Sequence, residues 1–584
     1  MNNNIQEIEI ARYPTTKALC GPITANRLRR LLFTYIIVLA CGAALALGTH
    51  HTSWQILGLG LILPGGGFLA HADLHSLSGF IHISMALSGA AVFAVSLIIW
   101  FATGNVLAPP VTWLLLAGAA TTMRHGHVHG HSVWLAVCIA IFLAILMFLY
   151  AYVSMLRGNW QRQEANDWLE REGGHIAGSF SPASATHPEL SHDELKQMRF
   201  LLDRALQPVN EFNGFEWLDQ FQTAAIRYQL NFIGYALAMV QATHMPAFQG
   251  YLTEAQKRLL LKQADHRVWR YWVTENLWGN LCYDPDPVKR ENIMYTGFCA
   301  TQMVMFQHAS GCSDFAQPGS FRLNHPSGTT YKYSLPDLIS SMQRETERSH
   351  FQLIACEPNW IYPLCNTIGT AAVQALAPDY WSKQQAGFGE KLDQEFLGYG
   401  TSIVPCRSNY IGLALPSIGG AMPQAMPCFF LNATMPDVAL RQWLQLRRYI
   451  LKNDALDRKQ FWRIDTGNYR FSRAAAYAAT ALAAAELGDE KIKVLCLSAL
   501  NEECPIVEDA DIQHRPKASI WAHAVELMAR ATTPHAFQKL INSPIRHTGP
   551  YISSVNYPDV LVASAYVENN SLKAVFYPNI LAYS

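Results

Sequence analysis

At 584 residues the chain exceeds the roughly 100–200 residues of one ordinary domain, so two or more parts are expected. Its charge is sparse and balanced, 44 basic against 44 acidic side chains, which excludes a dedicated nucleic-acid binder built on an electropositive face. Half of the residues are hydrophobic, and 15 Trp, 24 Tyr and 27 Phe supply ring surface for both a large core and an aromatic-lined pocket.

The apolar residues concentrate first near the N-terminus. Residues 1–30 read as a cytoplasmic segment ending in Arg27, Arg29 and Arg30, and the uncharged run Leu31–Leu47 follows directly. At about 1.5 Å per helical residue that run crosses most of a bilayer, and it begins too far into the chain for a cleaved signal peptide. Further apolar stretches occupy 54–70, 80–102, 107–122 and 132–156. Pro64-Gly-Gly-Gly67 and Pro109-Pro110 interrupt the second and fourth of the five stretches, so the region 31–156 is expected to hold four or five transmembrane helices. The arginines before the first helix place the N-terminus in the cytoplasm; Arg157 and Arg162 favour the same side for the remainder, hence four spans in a multi-pass membrane protein. His71, His75, His82 and the alternating run His125, His127, His129, His131 gather at helix edges. Alternating histidines can bind a transition metal, but the spacing of the histidine boxes of membrane di-iron enzymes is missing, and the cluster reads as an interfacial loop with no metal.

From Arg171 to His192 the composition turns to Gly, Ser, Pro and His, and the stretch 157–191 is read as a linker. Ser191-His-Asp-Glu194 then forms a capping box, in which Ser and Glu three apart satisfy each other's orphan amides, opening a second part at 192–584. Its dominant period is helical, over Ile226–Tyr235, Leu252–Trp272, Asn292–His308, Ile368–Leu376 and the Ala-rich Ala474–Leu487 before Gly488. Strand-like alternation comes late, at Tyr551–Val555, Val560–Ala565 and Leu572–Tyr577. The fold class is therefore mainly α, with loops at the ends of serial helix pairs placed to carry a central pocket.

Twelve cysteines are too few and too irregular for a disulfide scaffold, and no CxxC pair argues for a structural zinc site. One pair is distinctive. Cys356-Glu-Pro-Asn-Trp-Ile-Tyr-Pro-Leu-Cys365-Asn366 sets two thiols nine residues apart around a carboxylate and two prolines. By spacing alone the two read first as small buried hydrophobes, with a disulfide, or an acid and a base acting at neighbouring points of a bound molecule, as the alternatives.

Together with Asp284-Pro-Asp-Pro-Val-Lys-Arg-Glu-Asn-Ile-Met-Tyr295-Thr-Gly297, this segment resembles the linalool dehydratase-isomerase family. Weaker similarity runs through Asp203, Phe215-Glu-Trp217, Arg227-Tyr228, Arg267-Val-Trp269 and the Ala-rich helix to Gly488-Asp489, over roughly residues 190–490. The resemblance implies an (α/α)6 barrel that assembles into a homo-oligomeric ring, possible as a pentamer, and some relatives carry a membrane-embedded N-terminal portion. It implies a cofactor-independent dehydratase/isomerase for unsaturated terpenoid alcohols, with Cys356 and Cys365 as the catalytic thiols and Asp203 as an acidic partner. Tyr228 and Met294 match pocket positions, Glu357 lies beside the first thiol, and Trp269 and Trp360 are candidate aromatic walls. One departure matters: where the family places a histidine this chain has Phe298, and two expected tyrosines fall at Val209 and Pro423. The losses point to a changed substrate or proton route, including cyclisation. The competing expectations are a membrane-tethered binding or assembly protein for apolar ligands, and chemistry at the membrane histidines.

Overall fold

The computed structural model describes residues 10–15, 25–72, 76–123, 128, 130–183, 187–218, 225–397, 399–417, 419–465, 471–509, 511–545 and 548–578. The histidines at 75, 125, 127 and 129 lie outside the described residues.

The N-terminal part contains α1 (Ala25–Gly48), α2 (Thr52–Ile62), α3 (Leu77–Thr103), α4 (Ala108–Thr122) and α5 (Gly130–Trp168). Three helices are long and apolar enough to cross a membrane, at Arg29–Gly48, Leu77–Thr103 and His131–Ala177. Their outward faces carry large apolar side chains such as Phe33, Leu87, Ile98 and Phe142, the pattern of a surface that meets lipid rather than water. The apolar run at 54–70 is no continuous helix: α2 stops at Ile62, Gly65 turns at φ 80°, and a 3₁₀ turn Gly66–His71 follows. Pro109 and Pro110 have the opposite effect to the expected interruption, since they stand in the first turn of α4, where a missing N–H has no helical partner to lose. His71 and His82 meet edge to face at 5.5 Å.

The expected linker is largely structured. α5 continues as one helix to Trp168, followed by a π turn at Leu169–Gly173 and the short α6 (Gly174–Ala177). The reason is tertiary: Arg162, buried on this extension, donates to the carbonyls of Leu397 at 2.7 Å and Gly400 at 3.0 Å, so the helix is held against the C-terminal part.

That part comprises α7 (His192–Ala205), α8 (Ile226–His244), α9 (Gly250–Gln263), α10 (His266–Trp269), α11 (Tyr271–Asn280), α12 (Ile293–Ser310), α13 (Leu335–Arg348), α14 (Pro363–Leu376) and α15 (Pro378–Glu395). It continues with α16 (Met422–Thr434), α17 (Pro436–Ile450), α18 (Ala474–Leu487), α19 (Glu490–Glu503), α20 (Ile520–Ala531) and α21 (Ala536–Asn542). The expected capping box opens α7, with Glu194 N–H on Ser191 and Ser191 N–H on Glu194. Helix α8 packs on α12, α12 on α14, α14 on α16, α16 on α18, α18 on α20, and α20 returns to α8. The members of this cycle are apolar almost all round, as helices enclosed on every side must be, and Ala-rich α18 lets its neighbours approach closely. Helices α9, α13, α15, α17 and α19 lie each against the preceding member and bury one face only. Strands are confined to two-stranded pieces, the longest being the late hairpin Val560–Glu568 with Ser571–Pro578; Tyr551–Val555 forms only a bridge from Ile552 to Phe248.

Candidate active site

Local sequence chemistry builds the loop that bears the first thiol. Trp360 N–H donates to Glu357 O at 3.0 Å and Cys356 N–H to Trp360 O at 2.9 Å, closing a tight reversal over Glu357-Pro358-Asn359-Trp360. Pro358 supplies the fixed φ that the first central position of a type II turn favours, and Asn359 takes the positive φ, 74°, that the second requires. A short strand Trp360–Ile361 leads into α14, where Pro363 occupies the first turn and Cys365 follows within it. Asn366 ties the two ends of this hairpin: its Oδ1 accepts from Ile354 N–H at 2.7 Å, and its Nδ2 donates to Ile354 O and Tyr362 O, both at 2.9 Å.

The result brings Cys356 and Cys365 together as free thiols, close enough for Cys365 to bear on the Cys356 proton. Burial pushes the Cys356 thiol far above its ordinary range, the neighbouring Cys365 and the carboxylate of Glu357 push the same way, and the Tyr362 N–H pulls back only in part. At neutral pH Cys356 is therefore a protonated thiol, a proton donor rather than a standing thiolate. Cys406 is buried as well, and burial, with Glu357 adding to it, raises that thiol in the same direction.

The second motif meets the first through the backbone. Ile293 N–H donates to Ala355 O at 3.2 Å, so the start of α12 is bonded to the residue before the thiol. The polar members of that motif are scaffolding: Asp286 accepts from Val288 N–H at 3.0 Å and Tyr333 Oη at 2.5 Å, and Asn292 donates to Pro287 O at 2.9 Å. Its apolar members face α8. Tyr228 Oη donates to Met294 Sδ at 3.4 Å, the ring of Phe298 stands 5.7 Å from that of Tyr228, and Tyr235 Oη donates to the Phe298 carbonyl at 2.8 Å. Phe298 is thus an aromatic wall at the position of the missing histidine. His308, further along α12, bonds Leu540 O and serves another part of the core.

Three residues of this neighbourhood were not among the sequence candidates. Arg227, buried beneath Tyr228 and Tyr271 with its guanidinium carbon 4.4 and 4.2 Å from their ring centres, donates to Tyr228 Oη and to Met294 Sδ, each at 3.0 Å. Burial pulls its pKa down, but Tyr228, Tyr271, Glu275 and Glu357 more than reverse that and hold the cation. Tyr271 donates to Asn292 Oδ1 at 2.8 Å. Glu275, on α11, is raised well above the usual carboxyl range by burial and by Glu357, with Arg227 opposing, and its Oε2 has no hydrogen-bond partner among the described residues. The only signal for it in the sequence is a lone carboxylate within the aromatic helix Tyr271–Trp278.

Three other candidates stand elsewhere. Asp203 accepts from Tyr557 Oη at 2.5 Å and faces Arg199 at 3.8 Å, on α7 rather than in the thiol neighbourhood. Trp269 packs against His266 and His325, with ring centres 4.7 and 6.1 Å away. Trp360 turns outward from its strand onto the end of α3, 4.9 Å from the ring of Trp100. The neighbourhood thus collects a pair of free thiols, two carboxyl groups around one buried guanidinium, and an apolar wall of Tyr228, Met294 and Phe298. It can give and take a proton beside an apolar molecule without a bulk-water partner.

A family model of linalool dehydratase/isomerase matches residues 227–521, half of the chain. No curated protein sequence matches the chain.

Proposed function

The chain belongs to the linalool dehydratase/isomerase family, and from that premise we propose that it is a multi-pass membrane dehydratase/isomerase acting on an unsaturated terpenoid or isoprenoid-type alcohol through its two thiols. The observation that carries the reading is the approach of two free thiols, Cys356 and Cys365, within the matched region, with the first held protonated by burial. The six-helix cycle with its outer helices is read as an (α/α)6 barrel, whose loops hold the site.

In the proposed reaction the thiol of Cys356 gives its proton to the hydroxyl of a tertiary allylic alcohol. The C–O bond breaks, water leaves, and the positive charge spreads over the allyl unit. The resulting thiolate recovers a proton from the carbon next to the cation, directly or by way of the neighbouring Cys365, so a diene forms and the pair returns to its starting state. The ring faces of Tyr228 and Phe298 stabilise the developing cation, and the dry surroundings keep water from trapping it. With no histidine at Phe298 to aim a water molecule, elimination, alkene migration or cyclisation is favoured over rehydration.

The test is incubation of wild type, Cys356→Ser and Cys365→Ser with C10, C15 and C20 allylic alcohols, with products identified by mass. Each substitution is expected to lower turnover by about 10²-fold or more, the usual scale for a lost acid or base. Turnover insensitive to both substitutions rejects the thiol mechanism. Binding without turnover by wild type favours an apolar-ligand carrier, a reading that the loss of histidine at Phe298 supports.

A further inference from the structure

The turn that carries Cys356 is seated on the end of a helix long enough to cross a membrane. The last residues of α3 and the bend that follows make the contact. Trp360 lies 4.9 Å from Trp100 and 5.4 Å from Phe101, ring centre to ring centre, and its Nε1 donates to the Trp100 carbonyl at 3.2 Å. Trp278 Nε1 donates to Thr103 O at 2.8 Å, and Val106 N–H to Trp278 O at 3.2 Å. Gly104 ends α3 at φ 67° so close to the turn that a Cβ there would stand 3.1 Å from Pro358 O and 3.4 Å from Glu357 Cβ. On the other side of the turn, Asn359 Nδ2 donates to Gly279 O at 3.0 Å.

This seam is apolar throughout. Trp100, Trp360 and Cys406 form one buried cluster, with Phe101, Val106 and Tyr362 packed on it. Trp360 accepts the Cys356 N–H at 2.9 Å and Tyr362 lies between the two thiols in sequence, so the cluster begins on a membrane-length helix and ends at the loop that bears the thiols. Around it the C-terminal part exposes Leu277, Leu281, Tyr283 and Tyr410, large apolar side chains unsuited to water. Arg30, in the basic segment of α1, stands over the Tyr410 ring at 5.5 Å, as a cation at the lipid headgroup level would.

We infer that the thiol site is supplied from the bilayer: an apolar allylic alcohol dissolved in lipid enters along the seam between the end of α3 and the Cys356–Trp360 turn, its hydroxyl leading and its tail left in the membrane. The inference deepens the proposed reaction and rests on it for the identity of the substrate, while the route itself stands on the seam. Trp100 and Gly104 are then positioning residues that set the width of the entry. Bulk on the α3 side selects against branched or ring-bearing tails, and linear chains pass.

Full-length protein in phosphatidylcholine vesicles is treated with N-dodecylmaleimide, which partitions into the bilayer, or with a sulfonated, membrane-impermeant maleimide added to both faces. Each rate is normalised to glutathione, and modification of Cys356 and Cys365 is followed by peptide mass analysis. The dodecyl reagent is expected to modify the thiols at least tenfold faster than the charged one. Trp100→Ala is expected to speed the dodecyl reagent several-fold and leave the charged reagent unchanged, and Trp100→Phe to restore the wild-type rate. Equal rates for the two reagents, no labelling by the dodecyl reagent, or indifference of its rate to Trp100→Ala overturns the inference. Labelling does not need turnover, so a bilayer route with no thiol-dependent reaction, or the reverse, separates the two readings.

Discussion

Replacing Asn366 by Asp exchanges one amide nitrogen for oxygen and isolates what holds the thiol hairpin. The wild-type side chain accepts one hydrogen bond from Ile354 and donates two, to Ile354 O and Tyr362 O, in a site only 4% exposed. Aspartate keeps the accepted bond and loses both donated ones. At about 1 kcal/mol for each neutral hydrogen bond, the loss is about 2 kcal/mol. An anionic oxygen facing two carbonyls at 2.9 Å adds repulsion and desolvation, which brings the total to about 3–5 kcal/mol. The carboxyl responds by taking up a proton, which restores one donor, so the deficit shrinks as pH falls through the new group's raised pKa. Thermal unfolding of the full-length protein in detergent between pH 5 and pH 8 reads the effect: a melting point lower by several degrees at pH 8, with the gap narrowing toward pH 5. Because Asn366 joins the segment before Cys356 to the helix of Cys365, turnover should fall by about 10²-fold, the scale of an ångström-sized misplacement. An Asn366→Asp protein that melts and turns over like wild type at pH 8 refutes the claim that this side chain sets the thiol geometry.

Glu486 is buried at the end of α18, accepts from Phe537 N–H, Gln538 N–H and Asn432 Nδ2, and is nonetheless pushed up to about 7, burial outweighing those bonds. A carboxyl with a raised folded pKa adds stability that is fully present below its unfolded value and disappears as pH rises through the folded one; over pH 4.5–7 this amounts to about 3 kcal/mol. The difference between wild-type and Glu486→Gln melting points should therefore change across that window, and parallel curves would disprove it. Gly488 ends α18 at φ 81°, where a Cβ would stand 2.3 Å from Ser181 O. Gly488→Ala should lose about 2 kcal/mol or more from strain and overlap, and Gly488→Asn, which tolerates the dihedral, should recover only the strain; unchanged melting of both sinks the argument. Removing the buried Arg162 as Arg162→Leu strips two main-chain carbonyls of their charged donor, at about 2–3 kcal/mol, and limited proteolysis should then cut between α5 and α7 sooner than in wild type.

The elements that were legible in the sequence are those fixed by near neighbours along the chain. Pro358 and Asn359 dictate the reversal after Cys356, Pro363 starts the helix that carries Cys365, and Ser191 with Glu194 opens α7, each within four residues. The apolar length of α1, α3 and α5 is likewise a local property, written as an unbroken composition. Misreadings arose where a neighbour far along the chain decides. Residues 157–177 look like linker because their polar side chains suit solvent, yet they are helical because Arg162 finds carbonyls more than two hundred residues away. For Asp203 and Trp269 the single chain shows partners more than fifty residues away, Tyr557 and His325, which composition does not reveal.

By itself, then, the sequence determined that this protein joins an apolar part with helices of membrane-crossing length to a mainly helical part, and a family resemblance singled out two of its cysteines. It did so because turns, caps and hydrophobic runs answer to short-range sterics and solvation. Only the tertiary structure decided that the two thiols come together, that Arg227, Tyr271 and Glu275 join Glu357 beside them, and that Trp100 at the end of α3 closes over the turn. Those contacts depend on burial and packing between segments distant in the chain, and it is burial that keeps a thiol protonated and a carboxyl neutral.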